Sequence, residues 1–420
     1  MRALRAFSPT VWLLGLASLF NDVSSEAIFP LLPLFLASLP GGGARTLGLV
    51  EGAAEAVGAA VKVAAGRWSD RGPRRALVIG GYGLPALARA GIAVAAWPWQ
   101  VLLARLVDRA GKGIRSGPRD ALLADAVPDA ERGRAFGLQR SMDHLGAAVG
   151  PLGAAGLLAA GVSLRVTFAI AAGLGVLAPL VLVARLREGE DKEQEQDQDR
   201  VQVQEREQLK LKPKLQVQPK LQVQQELDPN PNLNPFLHRY LILAAVFALG
   251  NSTDAFLLLK AREVGFSASA VPLLWFGHHV VKTFAGLPGG ALSDRVPRRW
   301  VVAAGWGAYA LAYLGFALSD APWQVAALFG GYALYHGLAE GAERALVADL
   351  APRGERGRAF GWYHGVTGAV ALPAGLLTGW LWDARGPAVA LGACAAFAGV
   401  AALALAVSPA ASRRGGVSSS

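Results

Sequence analysis

The chain has 420 residues, 53% of them hydrophobic and 17% charged, with 51 glycines, 24 prolines and a formal net charge of +10. Soluble proteins carry about 25% charged residues, so an ordinary soluble enzyme is excluded. The basic excess sits in short clusters between long apolar runs, which points to a membrane rather than to nucleic acid. One cysteine, Cys394, excludes an internal disulfide, and no Cys/His spacing suggests a metal or a cofactor.

Met1 to Phe7 is basic and leads into Val11 to Leu39, an apolar run too long for the core of a cleaved signal peptide, so a retained first membrane helix is predicted. Crossing roughly 30 Å of hydrocarbon takes about 20 mostly apolar residues. By that measure spans are predicted near 10–38, 46–66, 76–96, 99–124, 135–160 and 164–186, then near 238–259, 269–290, 300–318, 322–349, 359–381 and 387–408. The predicted fold class is an all-α membrane protein of twelve transmembrane helices. It divides into an N-terminal bundle (1–187), a linker (188–235), a C-terminal bundle (236–410) and a short tail (411–420). The linker is rich in Gln, Glu and Lys, poor in aromatics and closed by Asn-Pro repeats, so it cannot bury enough apolar surface to fold alone.

Arg71, Arg74 and Arg75 follow span two, Arg132 and Arg134 span four, Arg295, Arg298 and Arg299 span eight, and Arg353, Arg356 and Arg358 span ten. The opposite loops hold only Arg45, Arg165, Lys260, Arg262 and Arg385. The positive-inside rule then puts both termini and the linker in the cytoplasm of a multi-pass cell-membrane protein.

The two halves repeat. Glu-Arg-Gly-Arg-Ala-Phe-Gly at 131–137 recurs at 355–361, Pro-Trp-Gln-Val at 98–101 recurs at 322–325, and Ser-Asp-Arg at 69–71 recurs at 293–295, each 224 residues on. Asn21 and Asn251 also match, at an offset of 230 that gaps in the first connecting segments would explain. Six spans per copy leave both copies running the same way, as parallel repeats with a site expected at their interface near the midplane.

The segment Gly66-Arg-Trp-Ser-Asp70-Arg71-Gly72-Pro-Arg74-Arg75 and its second copy, Gly290 to Arg299, resemble the G-x-x-x-D-R-x-G-R-R loop of the major facilitator superfamily. Pro73 and Pro297 stand where family members more often carry Gly. The resemblance covers nearly the whole chain outside the linker. It implies a transporter whose cytoplasmic gate is latched by Asp70, Arg71, Arg75 and Asp125 in one half and by Asp294, Arg295, Arg299 and Asp349 in the other, with Asp125 and Asp349 as acidic partners. Leu103-Ala-Arg105 is similar to the family's fourth-helix Arg motif, with Arg109 where Gly is expected. Gly146 to Gly153 is similar to the glycine-proline pattern of proton-coupled antiporters, although a small-residue run also permits close helix contact.

An ionisable group at the bilayer centre costs about 2.5 to 3.5 kcal/mol or more, so each is a functional hypothesis. In span four Arg105, Asp108, Lys112, Arg115 and Arg119 recur at steps of three and four and form one stripe. Acidic partners are available in Asp22, Glu26, Glu51, Glu55, Asp120 and Asp143, and further bases in Lys62, Arg89 and Arg140. A structural ion-pair network and a coupling site are both compatible with that balance. Asp22 and Glu26 lie one turn apart, and like charges on one face resist ionising together, as a proton carrier needs. Glu55 shares a face with Lys62, and Asp254 is the lone acid near the middle of span seven. These four carboxylates are the proton-coupling candidates. Asn21, Arg105, Asp108, Lys112, Arg115, Asn251, His336 and Tyr363 are the substrate-cavity candidates.

The expectation is a proton-coupled exporter of small organic molecules, monomeric in the lipid bilayer, with no cofactor, metal, nucleic-acid partner or enzymatic chemistry. Two alternatives stand beside it: uptake or exchange of an anionic metabolite, suggested by Arg105, Lys112 and Arg115, and a non-transporting receptor or scaffold that uses the linker.

Overall fold

A computed structural model of the chain describes residues 8–69, 73–128, 132–186, 235–351 and 356–408, without the side chains of 66–69, 132–133, 286–294, 337–338, 340 and 356–357. The predicted linker and C-terminal tail therefore lie outside the described residues. The N-terminal half contains α1 (Pro9–Ile28), α2 (Leu32–Ala37), α3 (Ala44–Ser69), α4 (Arg74–Val94), α5 (Pro98–Asp125), α6 (Arg132–Ala159) and α7 (Leu164–Arg185). The C-terminal half contains α8 (Pro235–Gly250), α9 (Ala255–Glu263), α10 (Ala270–Arg295), α11 (Arg298–Leu318), α12 (Pro322–Leu350), α13 (Arg356–Arg385) and α14 (Pro387–Val407). A single 3-10 turn, Phe29–Leu31, joins α1 to α2. These helices make twelve spans, because α1 with α2 and α8 with α9 each cross once.

Span seven, expected to be continuous, is broken at 251–254, where Asn-Ser-Thr-Asp offers the backbone side-chain partners that compete with helical bonding. There Thr253 Oγ1 accepts from Ala255 N at 3.3 Å. The repeated Pro-Trp-Gln-Val is a helix-start device. Proline occupies the first turn of α5 and of α12, where its missing N–H costs nothing. Gln100 Oε1 accepts from Ala96 N and Trp97 N at 2.6 and 3.0 Å, and Gln324 Oε1 from Asp320 N and Ala321 N at 2.9 and 3.1 Å. The turns of Gly41 (φ 72°) and Gly265 (φ 104°), also 224 apart, use the left-handed backbone that glycine adopts without cost.

Within each half the packing repeats as well: α5 lies on α3 and α4, and α12 lies on α10 and α11. The outer faces match too. Leu87 and Leu311 are both 71% exposed, and Trp99 and Trp323 are 61% and 72% exposed at helix starts, where aromatic side chains suit the membrane interface.

The halves meet through α3 against α13 and α6 against α10. Their tightest approach lies at the face opposite Ser8 and Ser408, here called the far face. A Cβ on Gly48 would come 2.0 Å from the carbonyl oxygen of Gly375, and one on Gly379 would come 2.5 Å from that of Ala44. Small residues allow this backbone contact where lipid provides no hydrophobic drive between helices. Arg45 and Asp383 close the same face at 3.4 Å.

Candidate functional site

The charged residues of α5 do not form one uniform stripe; packing divides them. Arg105 makes a bidentate pair with Glu51 of α3, at 2.7 and 2.8 Å, and lies 3.5 Å from Asp108. Asp108 accepts from Arg89 Nε of α4 at 2.9 Å, and the same guanidinium donates to Asn21 O and Oδ1 of α1 at 3.0 and 3.1 Å. Asn21 Nδ2 in turn donates to Asp22 at 2.8 Å. Side chains of the Arg105, Glu51, Asp108 and Arg89 set are 4–6% exposed. Each buried charge thus meets an opposite one, as the cost of burial demands.

Arg115 donates to Gly81 O at 3.0 Å and lies 4.5 Å from the Tyr82 ring centroid. Arg119 pairs with Asp120 at 2.8 Å. Glu55 faces Arg109 at 3.8 Å rather than Lys62, and its side chain is 62% exposed. Asp143 takes two bonds from Gln139 at 2.8 Å and lies 3.9 Å from Arg140.

One narrow pocket, with a cavity volume of about 20 Å³, gathers Asn21, Asp22, Glu26, Arg105, Asp108, Lys112 and Arg115 from the expected site, and adds Ser25, Phe29, Arg89 and Arg109. Of these Glu26 reaches the other half through polar contacts: it accepts Trp275 Nε1 at 2.8 Å and lies 3.7 Å from His279 Nε2. Phe29 and Trp275 pack beside that contact with ring centroids 5.1 Å apart.

Asp254, His336, Asn251 and Tyr363 stand elsewhere. Asp254 accepts from Tyr332 Oη at 2.6 Å. His336 lies among His278, Tyr332 and Tyr335, with ring centroids 5.3, 5.1 and 4.8 Å away. Tyr363 Oη donates to Glu343 at 2.7 Å, and Trp306 Nε1 donates to the other oxygen at 2.6 Å. Asn251 is exposed just beyond α8, so it does not occupy the place that Asn21 holds inside α1.

The repeat explains this division of labour. At the offset of 224, Glu51, Arg89, Arg105 and Asp108 correspond to Trp275, Tyr313, Phe329 and Tyr332, and Lys112 corresponds to His336. The correspondence is physical, since a Cβ on Gly81 meets Arg115 Cβ at 2.5 Å and one on Gly305 meets Ala339 Cβ at 2.8 Å. One half fills these positions with ions, the other with aromatic rings.

On the face that carries the termini, Arg74 pairs with Asp125 at 2.6 Å and Arg298 with Asp349 at 2.7 Å. These arginines, rather than Arg75 and Arg299, hold the two aspartates. Arg75 and Arg299 donate instead to the carbonyls of Leu186 and Ser408, at 2.6 and 2.8 Å. Arg295 is exposed at the end of α10. Asp70, Arg71 and the side chain of Asp294 lie outside the described residues. Gly146 and Gly150 serve close packing: Cβ atoms there would come 2.7 and 2.4 Å from the carbonyls of Leu19 and Val23 in α1.

Sequence reasoning missed Trp275, Ser25 and Phe29. The repeat held the signal for Trp275, which stands opposite Glu51.

Known proteins share this architecture. The family model described as Major Facilitator Superfamily matches residues 14–277 and 240–418. An uncharacterized MFS-type transporter of Methanocaldococcus jannaschii is 30% identical over 389 residues, covering 90% of this chain and 89% of its own. The multidrug resistance protein MdtH of Photorhabdus laumondii is 31% identical over 125 residues, 30% of this chain and 31% of its own. Among solved structures, an inward-facing, unoccupied bacterial homologue of the human lysosomal transporter Spinster aligns with a TM-score of 0.68 at 18% identity, covering 95% of this chain and 93% of that one. The nucleoside transporter NupG aligns with a TM-score of 0.72 at 13% identity, covering 94% of this chain and 99% of that one. With its family match running almost end to end and its twelve spans arranged as two parallel repeats, this multi-pass membrane chain belongs to the major facilitator superfamily of transporters.

Proposed function

We propose that this protein is a proton-coupled secondary transporter of the cell membrane that exports small organic molecules by rocking one half against the other. The observation that carries the reading is Glu26, an ionisable group of one half fastened at 2.8 Å to Trp275 of the other, where the halves are closed. A hydrogen bond to a carboxylate is roughly twice as strong as one to a neutral acceptor. Adding a proton to Glu26 therefore changes how firmly the far face is held, which links a proton to a conformational equilibrium. Asp22, one turn away, and Asp254, under Tyr332, are the further proton-coupling groups; the exposed Glu55 ranks behind them.

The basic clusters support a cytoplasmic position for the termini and linker. The far face is then the outer one. The loops around Arg74 to Arg75 and Arg298 to Arg299 form the cytoplasmic gate, with their ion pairs bracing each half from within. The partial likeness to multidrug resistance proteins supports export, and the protein works as a monomer.

The test uses proteoliposomes that hold a pH-sensitive dye and are challenged with panels of organic anions and cations. The wild-type chain gives substrate-dependent proton flux, and Glu26→Gln abolishes it while substrate binding persists. Undiminished flux in both Glu26→Gln and Asp22→Asn removes this pair from the mechanism, and no flux with any compound overturns the transporter reading.

A further inference from the structure

The cavity of the N-terminal half is unevenly neutralised. Five cations and three carboxylates line it: Arg89, Arg105, Arg109, Lys112 and Arg115 against Asp22, Glu26 and Asp108. Arg89 and Arg105 are fully engaged by Asp108, Asn21 and Glu51. Arg109 and Lys112 are not. Arg109 Nε is buried with no hydrogen-bond partner among the described residues, since Glu55 at 3.8 Å is beyond bonding distance and is mostly solvated. Lys112, exposed to the cavity, makes no ion pair among the described residues; Asp22 and Glu55 act on it only at longer range.

These two cations stand three residues apart on α5, hence on neighbouring positions of one face. Two like charges so close in the middle of a membrane span repel each other, and the arrangement persists only where something answers them. The carboxylates nearest in the cavity are turned elsewhere, Glu26 to Trp275 and Asp22 to Asn21. Phe29 lines the same pocket and packs on the buried Trp275 of the other half.

Resting on the transporter reading above, we propose that Arg109 and Lys112 bind the anionic group of the substrate, a carboxylate or phosphonate, and that an aromatic or aliphatic body lies against Phe29. The transported class is thus an amphiphilic organic anion. The α5 wall supplies the Arg109 guanidinium and the Lys112 ammonium, which suit an anion with two or three oxygens. Because Phe29 packs on Trp275, which also donates to Glu26, a ligand body on Phe29 lies beside the link between the halves.

The probes are phenylphosphonate and benzoate, with benzylamine as the cation of similar size. In calorimetric titration and thermal-shift measurements on the purified full-length chain, both anions bind and benzylamine does not. Arg109→Gln and Lys112→Gln each weaken anion binding by about tenfold or more, the loss expected for one charge-assisted contact. Lys112→Arg, which keeps the charge, recovers most of it and guards against a folding defect. Equal anion affinity in the Gln variants, tighter binding of benzylamine, or no anion binding by the wild-type chain overturns the site. Flux of radiolabelled phenylphosphonate in proteoliposomes separates the two readings: anion binding without flux leaves the site standing and defeats transport, whereas flux of the amine but not the anion does the reverse.

Discussion

Replacing Glu51 by Gln removes one charge from a deeply buried ion pair. Glu51 and Arg105 side chains are 4% and 6% exposed and share two bonds at 2.7 and 2.8 Å, so solvent does not screen their attraction. Removing one member of such a pair costs about 3 to 5 kcal/mol, because the survivor stays buried without compensation. Gln keeps one acceptor for Arg105, and Asp108 remains 3.5 Å away, so the lower end, about 3 kcal/mol, is expected, a change on the order of a hundredfold in the folding equilibrium. The internal comparison is Asp125→Asn, which removes a charge from the exposed Arg74 pair in the same half, where the loss is about 1 kcal/mol or less. Unfolding of both variants in detergent by denaturant titration provides the measurement. Glu51→Leu with Arg105→Met should recover most of the loss, since apolar residues of similar volume replace a buried pair at little cost. A loss in Glu51→Gln no larger than in Asp125→Asn would refute the claim that this network is dry and tightly paired.

Two further outcomes concern the far face. Its closure is read by cross-linking an Arg45→Cys and Asp383→Cys pair after the native, buried Cys394 is replaced by Ser. Trp275→Phe deletes the donor to Glu26, a bond of about 1.5 to 3 kcal/mol to a charged acceptor, and should lower cross-linking about tenfold or more; unchanged cross-linking would show that the contact does not hold the face shut. Gly48→Ala places a Cβ 2.0 Å from the Gly375 carbonyl, so α3 and α13 must separate and both cross-linking and thermal stability should fall. Normal values for that variant would mean that the helices slide past each other with little resistance.

Much of this was legible in the chain itself. The repeat of 224 foretold equivalent helices, and the structure extends it to side-chain detail, from the Gly81 and Gly305 contacts to the paired Arg74–Asp125 and Arg298–Asp349 bridges. The stripe of α5 was legible as a set that lipid cannot face. Partner choice was not. Which acid meets Arg105 depends on the relative height of α3 and α5, and Glu51 is 54 residues away. The same holds for Glu26 and Trp275, 249 residues apart, which are joined only because the two halves close on each other. Periodicity along one helix contains no information about that register. The break at 251–254 was hidden for a different reason, since its polar residues are too few to interrupt an otherwise apolar window.

Among the described residues, seven spans are apolar enough to enter a bilayer on composition alone, and α3, α5, α6, α10 and α12 are not among them. Of those five, α3, α6 and α10 pack at the contact between the halves, and α5 and α12 pack on helices of their own half. For α5, with seven ionisable residues from Arg105 to Asp120, solitary insertion would cost about 2.5 to 3.5 kcal/mol for each one near the centre. Glu51 and Arg89 precede it in the chain and pair with it in the finished protein. For α5 the order of synthesis thus supplies the counter-charges first: it reaches the membrane after the helices that carry Glu51 and Arg89, and the ribosome's direction becomes part of how this protein is assembled.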